Sequence, residues 1–137
     1  MTTILLAYVP SATSEAALDF AVAEAHRRDA KLLVLASERA PDPRKARGVL
    51  DQRSLTERLA ETGLEHELRT VPKRDDPADD ILDAIDSDPV DLVVLGIRRR
   101  TPIGKILLGS TSQRIAIESP VPVVLVKPDT FVAPARP

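Results

Sequence analysis

The chain alternates short apolar runs with longer stretches in which apolar residues recur every three or four positions. Apolar runs without a helical period predict strands at residues 4–8, 31–37, 64–71, 91–96 and 121–126. Apolar residues at helical spacing predict helices over residues 14–28 and 49–62, from Asp76-Pro77 to about Ile85, and from Gly109-Ser110-Thr111 to about Glu118. Nearly all of the 12 prolines fall between these segments, which supports the boundaries independently of hydrophobicity.

The third and the fifth predicted strands have contrasting patterns. Residues 64–71 alternate apolar with mostly charged positions, which predicts an edge strand with one solvated face. Residues 123–126 read Val-Val-Leu-Val and are apolar on both faces. Gly63, just before the first of these strands, suits the left-handed position that follows the end of a helix.

Strict alternation of strands and helices predicts an α/β fold, a single-domain doubly wound parallel five-stranded sheet with helices on both faces and right-handed crossovers. The domain is expected to span residues 1–128, followed by a loose tail over residues 129–137. Ligands of such sheets bind beyond the carboxyl ends of the strands, where the strand order reverses. The candidate functional segments therefore follow the strands, at residues 9–11, 37–39, 71–75 and 96–111.

Charge and composition exclude several classes of protein. The 137 residues carry 19 Lys and Arg against 21 Asp and Glu, a net charge of −2, and aromatic residues make up 2%. Nucleic acid is disfavoured as the main partner, because phosphate backbones require a basic face and single strands require aromatic platforms. The absence of cysteine excludes disulfides, thiolate metal sites and a cysteine nucleophile. With no leader and no apolar run of membrane length, the sequence predicts a cytoplasmic protein.

The segment after the fourth predicted strand carries the most informative chemistry. Gly96 ends that strand, and Gly109-Ser110 begins a helix thirteen positions later. Glycine lets backbone amides approach a ligand closely, and a helix N-terminus offers donors and a positive dipole end, so together they predict an anion site. The hydroxyls of Ser110 and Thr111 and the guanidinium groups of residues 98–100 would add contacts to phosphate oxygens. The alternative is a turn glycine, a serine helix cap and a solvated basic loop.

Other recognisable sites are missing. The place of a dinucleotide-binding glycine pattern holds Val9-Pro10-Ser11, and Gly104-Lys105 lacks the spacing of a P-loop. Two distant histidines without cysteine do not suit zinc, and no nucleophile elbow of a hydrolase is present. The dense aspartates between residues 75 and 88 are interpreted as a solvated helix start rather than a cation site.

The C-terminal half supports a resemblance to a known family. It reads Asp-Leu-Val-Val-Leu-Gly over residues 91–96, Ile-Gly-Lys-Ile-Leu-Leu-Gly-Ser-Thr over 103–111 and Ser-Pro-Val-Pro-Val-Val-Leu-Val-Lys-Pro over 119–128. With the strand at residues 4–7 and the helix start at 14–18, this resembles the universal stress protein family over residues 2–128. The resemblance implies an adenine nucleotide alpha hydrolase-like fold with strand order 3-2-1-4-5.

The nucleotide-binding branch of that family has a phosphate motif of Gly, two residues, Gly, nine residues, Gly and then Ser or Thr. Gly96 and Gly109-Ser110 match its ends at the same spacing, whereas Arg99 replaces the second glycine. The family's acidic adenosine contact falls on Val9, and its backbone contact after the second strand falls on Ser37. The resemblance implies a site for ATP or AMP, with or without Mg²⁺, formed by Val9, Pro10, Ser11, Ser37, Gly96, Arg98, Arg99, Gly109, Ser110 and Thr111.

The departures from the motif leave two functions open. The Cβ of Arg99 restricts the backbone, so that the close approach to a phosphate that glycine allows is lost. Alternatively, the guanidinium group of Arg99 replaces that contact by pairing with a phosphate. The leading interpretation is a cytoplasmic adenine-nucleotide binding protein of the stress response, a dimeric regulator and not an enzyme. The alternative is a nucleotide-independent dimeric interaction module of the same fold. Related adenylylating enzymes carry a Ser-Gly-Gly-x-Asp-Ser loop, which Val9-Pro10-Ser11 does not match.

The last predicted strand is a candidate interface. The implied strand order puts Val123, Val124, Leu125 and Val126 at an edge of the sheet, where an uncovered apolar strand invites pairing with another chain. Members of the family typically form homodimers through this strand, so the resemblance implies a two-fold dimer. The alternative is that the tail over residues 129–137 covers the strand.

Overall fold

The computed structural model describes residues 2–8, 12–37, 55–71, 77–97 and 109–128. Within these ranges strands and helices alternate as predicted. The elements are β1 (Thr3–Tyr8), α1 (Ala12–Arg28), β2 (Lys31–Ser37), α2 (Leu55–Glu61), β3 (His66–Val71), α3 (Ala78–Ser87), β4 (Leu92–Gly96), α4 (Ser110–Glu118) and β5 (Val123–Val126).

The sheet is parallel and has the order β3-β2-β1-β4-β5. The central strand is β1, where Leu6 pairs with Val34 of β2 on one side and with Val94 of β4 on the other. From β1 the chain moves outward through β2 to β3, then returns to β4 and β5. The predicted strand order is therefore confirmed, and the reversal lies between β1 and β4.

Each face of the sheet is covered by two helices, which explains why the central strands lack an alternating pattern. Ile4 and Leu6 of β1 belong to a core that includes buried residues of α1 and α2. Leu5 belongs to a second core with α3 and α4, around Ile81 and Ile115. Because neighbouring residues of β1 point into different cores, both must be apolar.

Side-chain hydrogen bonds explain why two strands begin two residues later than predicted. The hydroxyl of Ser119 donates to the carbonyl of Val121 at 2.8 Å and accepts from its amide at 3.1 Å, forming a turn before β5. The amide of Leu64 likewise donates to the Thr62 hydroxyl at 3.2 Å before β3. Gly63 adopts a φ of +74°, which confirms the predicted left-handed position.

Two helix starts differ from the prediction or lie outside the described residues. The predicted helix over residues 49–62 is described only over Leu55–Glu61, since residues 49–54 fall outside. The N-cap of α3 is Pro77, with helical backbone angles and no side-chain cap bond, and Asp76 is outside the described residues. The predicted tail over residues 129–137 also lies outside them, so the domain boundary stays a prediction.

The outer strand β3 carries charges, as its alternating pattern predicted. Arg69 donates to both carboxylate oxygens of Asp88, at 2.7 and 2.8 Å, and also pairs with Glu67. These hydrogen bonds from Arg69 lower the pKa of Asp88 to about 2. Lys31 lies 3.6 Å from Glu67. The ion pairs make this edge polar and unsuited to pairing with another sheet.

Candidate functional site

The topology defines one edge of the molecule as the candidate site. In a parallel sheet all strands end at the same edge, and each following helix begins there. Tyr8 ends β1 and Gly96 ends β4, the two strands between which the order reverses. The helix after β4 is α4, so its N-terminus at Gly109 lies at this edge as well. Gly96 and Gly109 thus share the edge on which ligands of doubly wound sheets bind.

Gly96 has a packing role that the sequence did not reveal. A Cβ at this position would lie 2.5 Å from Cγ2 of Thr13, 2.6 Å from its carbonyl oxygen and 2.9 Å from its carbonyl carbon. Such distances are shorter than real Cβ atoms allow, and two of the three atoms belong to backbone. The first turn of α1 therefore sits on the end of β4, and only glycine permits that approach.

Gly109 is in a different situation. It is the N-cap of α4, with φ −60° and ψ 156°, and its carbonyl accepts the amide of Gln113 at 2.9 Å. Among the residues that the structure describes, no atom beyond the chain neighbours lies within 4 Å of a Cβ built at this position. The backbone conformation and the surrounding space both allow other residues, so neither explains the glycine. Glycine is a favoured N-cap residue, and its lack of a side chain would also let a ligand approach the backbone closely.

The start of α4 offers backbone donors without a side-chain cap. Ser110 is the first helical residue and is exposed, and Thr111 follows half-buried. The alternative in which Ser110 caps the helix is wrong, because Gly109 occupies that position and no side chain bonds to it. The first turn contains no acidic residue. An anion could therefore accept from these amides, with the helix dipole in the favourable direction.

The other predicted ligand residues are only partly described. Val9, Pro10, Ser11, Arg98 and Arg99 lie outside the described residues. The backbone of Ser37 ends β2, where it pairs with Val71 of β3. Its place at the carboxyl edge is the one that the predicted backbone contact requires.

Sequence reasoning missed a buried polar group at this edge, which we call the Tyr8 cluster: Tyr8, Glu15 and Arg58. Nη1 of Arg58 donates to Oε1 of Glu15 at 2.8 Å and to the hydroxyl of Tyr8 at 3.3 Å, and Nη2 pairs with the second carboxylate oxygen. The Tyr8 hydroxyl also donates to Glu15. The Glu15 and Arg58 side chains are only 14% and 11% exposed. The sequence signals were faint: one tyrosine in an apolar strand, and a glutamate and an arginine 43 positions apart.

Burial and charge both affect protonation in the Tyr8 cluster. Burial raises the pKa of Tyr8 to about 12, and the hydrogen bond to Glu15 adds to this effect. The hydrogen bond with Glu15 raises the pKa of Arg58 above its usual range. At neutral pH Tyr8 is therefore a neutral phenol and Arg58 carries its positive charge.

The described residues contain neither a metal-binding cluster nor a membrane-spanning helix. No group of three or more His, Asp or Glu side chains in this part of the chain could hold a metal ion. Among the helices that the structure describes, none is long and apolar enough to cross a membrane.

Comparison with known proteins agrees with this architecture. The model of the universal stress protein family matches residues 1–127. A universal stress protein of Mycolicibacterium smegmatis is 38% identical over 131 residues, which cover 93% of this chain and 99% of that protein. The universal stress protein of Archaeoglobus fulgidus is 27% identical with a TM-score of 0.72, over 93% of this chain and 99% of that one.

A second structure of an Archaeoglobus fulgidus universal stress protein is a complex with dAMP. It is 25% identical to this chain, with a TM-score of 0.66, and covers 93% of this chain and 98% of its own. Since the family model spans nearly the full length and the relatives match end to end, the chain belongs to the universal stress protein family.

Proposed function

We propose that this protein binds an adenine nucleotide, ATP or AMP, at the edge between β1 and β4, and that it acts in the cytoplasm as a dimeric regulator of the stress response. The observation that carries the proposal is the N-terminus of α4, where no described residue beyond the chain neighbours lies within 4 Å of a Cβ built on Gly109 and the first turn has no acidic side chain. The dAMP complex of the relative supports it. The proposed function is binding rather than catalysis.

In the proposed site the nucleotide spans the reversal of the sheet. The amides after Gly109 and the hydroxyls of Ser110 and Thr111 would hold the phosphate, because a helix N-terminus combines donors with a favourable dipole. Arg98 and Arg99 would add charge, and Mg²⁺ would accompany ATP rather than AMP. Val9, Pro10, Ser11 and the backbone of Ser37 would border the adenosine.

Gly109→Ala tests the phosphate contact directly. We expect the affinity for AMP to fall about tenfold or more, because the added methyl group would stand where the phosphate approaches the backbone. The fold should be retained, since that methyl group meets no atom within 4 Å among the described residues beyond its chain neighbours. Isothermal titration calorimetry of both proteins with AMP and with ATP plus Mg²⁺ gives the comparison.

A control on the same helix separates binding from helix stability. Ile117 of α4 is 74% exposed and lies a full two turns from the N-terminus, so Ile117→Ala should leave the AMP affinity unchanged. No binding heat for the unmodified protein at millimolar nucleotide would contradict the proposed function. Equal affinities of the unmodified protein and Gly109→Ala would contradict the assigned phosphate contact.

One observation favours the alternative, a nucleotide-independent dimeric module. The packing of Thr13 on Gly96 explains the first glycine of the motif without any ligand. In that case the glycine would be retained for the α1–β4 contact alone. A stable dimer that gives no heat with any adenine nucleotide is the outcome that distinguishes this function from the first.

The dimer is proposed to form through β5. All four residues of this edge strand are half-buried and apolar, whereas the opposite edge, β3, carries the Arg69–Asp88 ion pair. The carbonyl of Pro122 accepts from the amide of Val93 in β4 at 3.0 Å, and the carbonyl of Val126 accepts from the amide of Ile97, just after β4, at 2.9 Å. Along a strand of a parallel pair the backbone N–H and C=O groups alternate between the two sides. Val123 and Leu125 therefore direct their backbone groups away from β4, to the free edge of the sheet.

Val123→Pro should therefore convert the dimer to a monomer, because it removes an outward N–H from the pairing edge. Thr70→Pro is the matched control at the opposite edge of the sheet. The carbonyl of Glu65 accepts from the amide of Leu32 of β2 at 2.9 Å, and the backbone groups alternate sides from there along β3. The backbone N–H of Thr70 therefore points away from β2. The mass of Thr70→Pro should remain that of a dimer. Light scattering at high micromolar concentration measures both variants, and a monomeric unmodified protein would contradict the proposed dimer.

A further inference from the structure

The Tyr8 cluster joins three elements at the edge where the proposed nucleotide site lies. Tyr8 is the last residue of β1, Glu15 is in the first turn of α1, and Arg58 is in α2. The guanidinium group contacts both partners, which holds the end of β1 and the start of α1 in one arrangement. A planar, bidentate group fixes such an arrangement more tightly than a flexible point charge does.

The same turn of α1 is also fixed on its other side. Thr13, two residues before Glu15, places its backbone against the Cα of Gly96 so closely that no Cβ would fit. The first turn of α1 is thus held between β4, through Thr13, and α2, through Glu15. A shift at either contact would change the distance between α1 and the end of β4, which are two walls of the proposed site.

Over its described residues, Leu55–Glu61, α2 contributes few apolar side chains to the core. Leu59 is buried, and Leu55 is partly buried. An open groove of about 450 Å³ lies between α2 and α1, lined by Leu18, Asp19, Val22, Ala23, His26, Arg58, Leu59 and Thr62. Arg58 therefore provides a polar attachment beside this groove, in addition to the apolar contact of Leu59.

We infer that Arg58 is a positioning residue for the nucleotide: through Glu15 and Tyr8 it fixes the first turn of α1 against Gly96, so that nucleotide affinity is coupled to the docking of α2. The inference rests on the proposed function. Coupling between two sites is reciprocal, so bound nucleotide must also favour the docked state of α2. The docking of α2 on one face of the sheet would then depend on whether the nucleotide site is occupied.

The affinity of Arg58 variants tests the coupling. We expect Arg58→Met to weaken AMP binding about fivefold or more, the lower end of ordinary coupling between sites. Arg58→Lys should give an intermediate affinity, because it keeps the charge but loses the bidentate contact. Removing the counter-ion of a buried charge can destabilise the fold, so Glu15→Gln/Arg58→Met, which removes both charges, is measured as well. Its affinity should be as low as that of Arg58→Met.

Tyr8 supplies a readout that a purely structural role would not change. The chain has one tyrosine and no tryptophan, so ring-labelled tyrosine gives an NMR signal from Tyr8 alone. This signal should shift on AMP addition and saturate at the calorimetric Kd. In Arg58→Met it should shift little at saturating AMP, because the link from α2 to the first turn of α1 is lost.

Arg69→Met is the matched control. It removes an arginine that makes a bidentate contact with a carboxylate, that of Asp88. Asp88 follows α3 at the opposite end of the sheet, so the variant should leave the AMP affinity unchanged. This inference would be overturned, with the proposed function left intact, if the unmodified protein and Arg58→Met bound AMP with equal affinity. It would also be overturned if the Tyr8 signal of the unmodified protein did not shift when AMP binds. No AMP binding by the unmodified protein would overturn both.

Discussion

Gly96→Ala is expected to lower the free energy of unfolding by about 3 kcal/mol, the upper part of the range for overpacked sites. The added Cβ would meet the carbonyl carbon and oxygen of Thr13 at 2.9 and 2.6 Å. A flexible side chain could turn away, but these atoms are backbone of α1. The whole first turn of the helix must therefore move away from β4, and it carries Glu15 of the Tyr8 cluster with it.

Urea unfolding of Gly96→Ala beside Gly109→Ala checks this expectation. Both variants add one methyl group at a glycine of the same motif, but in the described part of the chain the methyl group at Gly109 meets no atom within 4 Å beyond its chain neighbours. Gly109→Ala should cost about 1 kcal/mol or less, the effect of alanine at an N-cap. Losses of similar size in the two variants would contradict the packing role of Gly96.

The positions of Gly96 and Gly109 could be predicted from the sequence, whereas the neighbour that requires a glycine at residue 96 could not. Their spacing assigned both to one phosphate motif, and their places at the end of β4 and the start of α4 are as predicted. The sequence could not show that Gly96 faces the backbone of Thr13, because that contact joins residues 83 positions apart and depends on how α1 crosses the sheet. A motif match identifies a backbone requirement but does not say which neighbour imposes it.

The fold could be predicted more fully than the site, because it depends more on local sequence patterns and less on contacts between distant residues. Alternation of strands and helices, punctuated by proline and glycine, is local information, and it was enough for the element order and for the charged edge at β3. The Tyr8 cluster depends on a contact between α1 and α2, whose residues have no common pattern in the sequence. Nothing in the run around Tyr8 distinguishes a core tyrosine from one that binds an ion pair.

The stability of the folded protein in alkali should depend on Tyr8. Its pKa is about 12 in the folded state against 10.0 for an ordinary tyrosine, because burial and Glu15 disfavour the phenolate. The raised pKa means that the folded state holds this proton more tightly than the unfolded state does. The resulting stability is fully present below pH 10 and is lost as the pH rises towards 12 and beyond, up to about 2–3 kcal/mol at 1.36 kcal/mol per unit.

Tyr8→Phe isolates this contribution, since lysines and other groups that titrate in alkali are the same in both proteins. The free energy of unfolding of the unmodified protein should fall more steeply with pH than that of Tyr8→Phe, by about 1 kcal/mol at one unit above the ordinary pKa. Tyrosinate absorbance of the folded protein reports Tyr8 alone, because the chain has one tyrosine and no tryptophan. A midpoint near 10, equal to that of the urea-unfolded chain, would mean that Tyr8 is neither buried nor bonded to Glu15 in solution. It would then remove the physical basis for coupling α1 to α2 through this side chain.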